Sequence, residues 1–328
     1  MKNQIIKEIT QGMLKILDNK QLENLEENLV RIFSKYEINF TTEEKSSINN
    51  NSLIDSFLAA KKIEGCSEKT LNYYKKTIAL SLDVINKEIV HITTDDLRLY
   101  LTNYQDNKKI SKVTIDNIRR ILSSFFAWLE DEDYIIKSPV RRIHKVKTAK
   151  IIKETYSDES LELMRDSCSN IRDLAMIDLL ASTGMRVGEL VLLNKSDVNF
   201  MERECIVFGK GNKERIVYFD ARTKIHLQNY LNSRDDNNEA LFVTLKRPNN
   251  RLKIGGIETR LRNFGKKLKI NKVHPHKFRR TLATMAIDKG MPIEQLQHLL
   301  GHQKIDTTLQ YAMVKQSNVK NSHRRYIG

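Results

Sequence analysis

Cysteine is scarce in this sequence: Cys66, Cys168 and Cys205 stand far apart along 328 residues. No two have the spacing of a zinc knuckle or a disulfide framework, and the pattern fits a reducing compartment. Long apolar runs are missing too, and no stretch approaches the roughly 18 apolar residues of a membrane span. The opening Met1-Lys2-Asn3-Gln4 does not lead into the apolar core and small-residue cleavage site of a signal peptide. A cytoplasmic protein without disulfides is therefore expected. Internal repeats and low-complexity tracts are absent, and Gly209-Lys210-Gly211 lacks the spacing of a P-loop, so no ATP site follows from it.

Acid is missing where base is plentiful. The net charge is +15 at pH 7 and the pI is about 9.5, which points to an acidic polymer as partner, nucleic acid before membrane. Residues 1–50 are close to neutral. From Lys137 to Lys153 the chain carries Arg141, Arg142, Lys145, Lys147 and Lys150 with no acid between, and over 246–280 Glu258 is the only acid among many lysines and arginines. The first basic run has about the right length to cross a duplex with its cations on phosphates.

At this length about two domains are expected. Apolar residues recur at helical spacing over most of the first half: Ile5, Ile6, Ile9, Met13 and Leu17, then Leu22, Leu25, Leu29 and Ile32. A polar linker is expected over Thr41–Ser52. Four helices should follow, with Ser67, Thr93 and Ser111 as start signals and Phe125, Phe126 and Trp128 as core. Ser138-Pro139 closes this unit. Beyond Ser157 helical patterns return, broken by two β-rich runs, Glu204–Phe208 and Glu214–Phe219, around a basic glycine-flanked turn. Loops are expected at 235–238, 248–250 and Gly255-Gly256.

Three motifs hold the residue types that phosphoryl transfer on DNA can use. Thr183-Gly184-Met185-Arg186-Val187-Gly188-Glu189-Leu190 offers Arg186, His276-Lys277-Phe278-Arg279 offers His276 and Arg279, and the stretch from Gly301 to Tyr311 offers His302 and Tyr311. Arginine is permanently charged, planar and rich in donors, which suits it to clamp phosphate oxygens. A phenol of pKa about 10 attacks poorly unless a base or a positive field helps it. His276 and Arg279 are three residues apart, so a helix puts them on one side. Glu189, one helical turn after Arg186, is placed for an ion pair with it. His274, His276 and His302 have no carboxylate or cysteine in a ligand pattern, so no metal is expected.

With these motifs and Gly209-Lys210-Gly211-Asn212-Lys213-Glu214-Arg215, residues 52–328 resemble the tyrosine recombinases, the family of phage integrases and Xer-type resolvases. The resemblance implies a mainly α fold with a small β-sheet. A helical extension (1–50) would precede a four-helix SAM-like core-binding domain (51–138), a basic linker (139–153) and a mixed α/β catalytic domain with a C-terminal tail (154–328). It implies Tyr311 as nucleophile forming a 3′-phosphotyrosyl link, and Lys210 as acid for the leaving 5′-oxygen, with Lys213 and Arg215 as alternates in the same turn. His276 would act as base or phosphate donor, His302 would hydrogen-bond the phosphate, and Glu189 would support Arg186 from behind. Double-stranded DNA would be gripped between the two domains and contacted by Arg141, Arg142, Lys145, Lys147, Lys150, Lys213, Arg215, Lys277 and Arg280. Arg280 departs from the pattern, since many relatives carry a histidine there. Further implications are a homotetramer on two recombination sites, Holliday-junction strand exchange, and a tail after Gln316 inserted into a neighbouring protomer, with Val314, Val319 and Ile327 as its apolar anchors. A partner recombinase or accessory factor is compatible with all of this, and no cofactor is expected.

Two other readings compete: a type IB topoisomerase-like enzyme that relaxes supercoils, and a DNA-binding protein without catalysis. The helical N-terminal unit and the tail favour recombination over relaxation, and the second rival leaves the catalytic positions to coincidence.

Overall fold

The structure is a computed structural model that describes residues 2–14, 16–36, 49–148, 154–209, 214–309, 323–324 and 327. It divides into two units, 1–149 and 150–328.

In the first unit, α1 (Lys2–Met13) and α2 (Asn19–Phe33) are helical as expected and pack together, and Asp18 and Gln21 form a capping box at the start of α2. The next helix begins earlier than the linker reading allowed. Asn49 caps α3 (Asn50–Ile63) by accepting from the Asn51 N–H, and the Asn50 amide bonds the Lys87 carbonyl and the Ile89 N–H. Asparagines read as loop residues are here cap and brace. The helices α4 (Glu68–Ile85), α5 (Thr94–Lys108) and α6 (Lys112–Asp131) start at Ser67, Thr93 and Ser111 as expected, each side chain accepting from a first-turn N–H. Their core centres on Phe57, Phe125, Phe126, Leu122 and Leu129, all essentially inaccessible, with Trp128 half-buried against Phe57 and Tyr134.

The basic run does not leave this unit at Ser138. Val140 is buried in the four-helix core, Ile143 and Val146 pack on it, Thr94 bonds the Pro139 carbonyl, and Asp116 accepts from the Val146 N–H at 3.0 Å. The apolar residues spaced through 139–146 hold the segment down while its cations stay outside.

The second unit is built around α8 (Ile171–Thr183), buried on nearly every side. Around it lie α7 (Asp158–Asp166), α10 (Ala221–Asn232) and α12 (Pro275–Asp288). A helix so enclosed can hold polar groups only when they are paired. Asp173 is paired with Arg172 and Arg260, and Asp178 with Arg165 and His226. The short helix α9 (Val187–Leu192) follows the left-handed turn at Gly184. The expected β-rich runs form an antiparallel pair, β2 (Glu204–Phe208) with β3 (Glu214–Tyr218), in which Ile206 faces Ile216; a two-residue strand β1 (Val198–Asn199), not anticipated, extends the sheet beside β2. Gly255 and Gly256 are a correction. They lie inside the first turn of α11 (Ile254–Leu268), where they are exposed, and burial of Ile257, Leu261 and Phe264 along that helix outweighs their poor helical propensity. Finally α13 (Ile293–Leu300) packs on α12 and β3, and α14 (Ile305–Leu309) follows. Among the described residues no helix is long and apolar enough to cross a membrane.

Candidate active site

Three of the sequence-derived motifs meet at the C-terminal end of α13. Gly301 ends that helix in the left-handed conformation (φ +62°), so its last carbonyls point outward without helical partners of their own. Three successive carbonyls are each met by a different arginine. Arg215, from β3, donates through Nε to the Leu299 carbonyl at 3.2 Å. Arg279, from α12, donates to the Leu300 carbonyl and, through Nη1, to the Gly184 carbonyl at 2.8 Å. Arg186, at the start of α9, donates through Nη2 to the Gly301 carbonyl at 3.2 Å. The partial negative charge at a helix C-terminus favours this gathering of cations.

Glu189 ties two of the three together. Its carboxylate accepts from the Arg186 backbone N–H at 2.7 Å and from Arg186 Nη1 at 2.8 Å. It also accepts from Arg215 Nη1 at 2.5 Å and Nη2 at 2.7 Å. Burial alone would raise its pKa, but the hydrogen bonds and charges of Arg215 and Arg186 outweigh that and hold it below the ordinary carboxylate range. The ion pair expected between Arg186 and Glu189 is present. Arg215 is a correction: it belongs to β3 rather than the turn, and its side chain is only 12% exposed, turned inward onto Glu189 and not outward.

His302 follows directly. Its Nδ1 lies 2.8 Å from the Thr308 hydroxyl, and Gln297 brackets its backbone, accepting from the N–H and donating to the carbonyl. Partial burial and the charges of Arg279, Arg186 and Arg215 lower its pKa to about 4, so the imidazole is neutral at pH 7. His276, near the start of α12, is exposed to solvent on one side; the covered part of its ring and the charges of Arg279, Arg186 and Arg280 lower its pKa as well. The two histidines therefore share one field of positive charge.

The remaining expected residues fall elsewhere. Lys210, Lys213, Lys150 and Tyr311 lie outside the described residues, as do Val314 and Val319, while Ile327 is exposed. Arg141, Arg142, Lys145 and Lys147 are exposed on the first unit. Lys277 is a second correction: its helix face turns it inward, its Nζ donates to the Asn271 carbonyl at 3.0 Å and stands 4.7 Å above the Tyr156 ring, and the residue is buried. Arg280 spends one donor on the Glu154 carbonyl and keeps part of its surface open. Sequence reasoning missed Thr308 as the partner of His302, although it stands in the motif that held His302 and Tyr311. It also missed Arg251, which fastens the far end of α9 by donating to the Val191 and Leu193 carbonyls at 2.9 and 3.0 Å and to the Asn194 side chain.

A set of arginines with two neutral histidines, on a mainly helical unit with a small sheet, is the arrangement of a phosphoryl-transfer site for a polyanion. The family comparisons agree. The phage integrase family matches residues 142–318, and the phage integrase N-terminal SAM-like domain matches residues 53–136. Tyrosine recombinase XerC of Oceanobacillus iheyensis is 29% identical over 289 residues, covering 83% of this chain and 94% of that one. Among solved structures, the XerH site-specific recombinase bound to a palindromic difH substrate aligns with TM-score 0.66 at 18% identity, over 85% of this chain and 90% of that one. A lambda integrase dimer bound to a COC′ core site aligns with TM-score 0.65 at 21% identity, over 79% and 96%; at these identities the likeness is one of fold. The chain belongs to the phage integrase family, and with it to the tyrosine site-specific recombinases.

Proposed function

We propose that the protein cuts and rejoins duplex DNA at specific sites through a covalent 3′-phosphotyrosyl intermediate. The observation that carries this reading is the convergence of Arg186, Arg279 and His302 on one helix end, with Glu189 behind them.

The Tyr311 oxygen attacks the scissile phosphorus and gives up its proton to His276. The bond from phosphorus to the 5′-oxygen breaks, and Lys210 protonates the departing oxygen. Arg186 and Arg279 stabilise the charge that grows on the pentacoordinate phosphorus, where preorganised donors act most strongly. His302, neutral in this field, supplies a hydrogen bond to a phosphate oxygen. Because the phosphotyrosyl bond keeps the energy of the phosphodiester, a second 5′-hydroxyl can reverse the step on another strand, and neither ATP nor a metal enters the balance. Arg141, Arg142, Lys145, Lys147, Lys150, Lys213 and Arg280 are assigned to DNA phosphates. Four protomers on two sites would exchange strands pairwise, in the cytoplasm. The family match gives no support to supercoil relaxation alone, nor to binding without cutting.

The test is incubation of the protein with nicked suicide duplexes drawn from DNA flanking its gene, without metal or ATP. The wild type should give a denaturation-resistant protein–DNA adduct and Tyr311→Phe none. An equal adduct from Tyr311→Phe would exclude Tyr311 as the nucleophile.

A further inference from the structure

We propose that Arg215 is a positioning residue of the phosphate clamp: it sets the direction of Arg186 through Glu189 and is itself held by the Leu299 carbonyl. This rests on the recombinase reading above. Glu189 is 4% exposed and each of its oxygens accepts two bonds, one from Arg186 and one from Arg215. Four bonds use about the full acceptor capacity of a carboxylate. Its orientation is therefore fixed from both sides.

The two arginines differ in what they leave open. The Arg186 side chain is 36% exposed, whereas that of Arg215 is 12% exposed, with Nε and both Nη groups already engaged inside the protein. One arginine faces outward and the other braces it. Without Arg215, Glu189 would keep only the bonds from Arg186, and the carboxylate would be free to rotate with the guanidinium it holds. The brace is tight: a Cβ built on Gly301 would lie 2.8 Å from Arg215 Cδ and 3.2 Å from its Nε. Glycine is required there for close approach as well as for its positive φ.

The experiment compares DNA affinity with covalent chemistry in the full-length protein, using whichever flanking duplex the wild type captures. Arg215→Met keeps bulk beneath Gly301 but cannot bind Glu189. It should bind the duplex with wild-type affinity and an unchanged slope of log Kd against log salt, while single-turnover adduct formation falls about 10²-fold, as expected for a misaligned clamp. Arg215→Lys should recover part of that rate. Glu189→Ala should lose a similar amount, and Arg215→Met combined with Glu189→Ala should lose no more than the worse single variant. A salt slope reduced by about one in Arg215→Met would mark a direct phosphate contact and overturn the inference. So would a double variant whose loss is the product of the two single losses, or a wild-type adduct rate in Arg215→Met. If Arg215→Met fails to fold, the comparison of Arg215→Lys with Glu189→Ala and their double variant reads the same coupling. A wild type that forms no adduct on any flanking duplex would overturn the recombinase reading itself and this inference with it.

Discussion

At position 302 a histidine stands within the field of three arginines, and its chemistry follows from that company. An exposed histidine gains its proton near pH 6.5, whereas His302 should do so only near pH 4. An NMR titration of its ring carbon-bound protons in the free protein should therefore show no midpoint near 6.5, and bound duplex should move the midpoint upward as phosphate charge offsets the arginines. The same shift has a stability consequence. Between about pH 6.5 and 4 the unfolded chain holds a proton at this residue that the folded chain refuses, so stability falls as pH drops through that window. His302→Gln should lose less of its thermal midpoint between pH 7 and 4.5 than the wild type does. Some residues of this site were legible in the sequence and others were not, for a physical reason. Arg186 and Glu189 are three apart at a helix start, and local spacing predicts that pair. The bond from Arg215 to the same carboxylate crosses from strand to helix, and no periodicity encodes it. Lys277 shows the limit of reading charge alone, since its ammonium is satisfied inside the fold by a carbonyl and an aromatic face.

Among the elements, the C-terminal end of α13 is the one on which the site depends most. Gly301→Ala would force a side chain into φ +62° and against Arg215. It should lower stability by about 1–2 kcal/mol, the usual penalty of a left-handed non-glycine residue, read by urea denaturation. It should also slow adduct formation by displacing Arg215. Helix starts were largely legible, because Ser67, Thr93 and Ser111 each announce themselves by a side chain that accepts a first-turn N–H. Glycine misled at 255 and 256, where tertiary burial farther along α11 overrides the local signal. Strand β1 was missed because two residues carry no pattern of their own.

On the scale of the whole molecule, the positive charge is ordered and not merely abundant. The segment 139–146 is fastened to the first unit by Val140, Ile143, Val146 and the Asp116 carboxylate, with Arg141, Arg142 and Lys145 exposed on it. Asp116→Ala removes the acceptor of the Val146 N–H and the partner of Arg119, a loss of about 1–3 kcal/mol to that segment. Limited trypsin digestion should then cut sooner at Arg141, Arg142 or Lys145, with the rest of the unit intact. The two-unit organisation could be read from composition and helix patterns. That the acid-free run begins as part of a folded core could not, since its apolar residues are few and their partners lie on other helices.

The three bonds at the end of α13 span 115, 84 and 21 residues of sequence. No fragment of the second unit can assemble them alone, since α9, β3, α12 and α13 must all be docked. Nucleolytic competence is thereby made conditional on completed folding. A chain partly unfolded by heat loses this meeting of Arg186, Arg215 and Arg279, and with it the means to open a DNA strand.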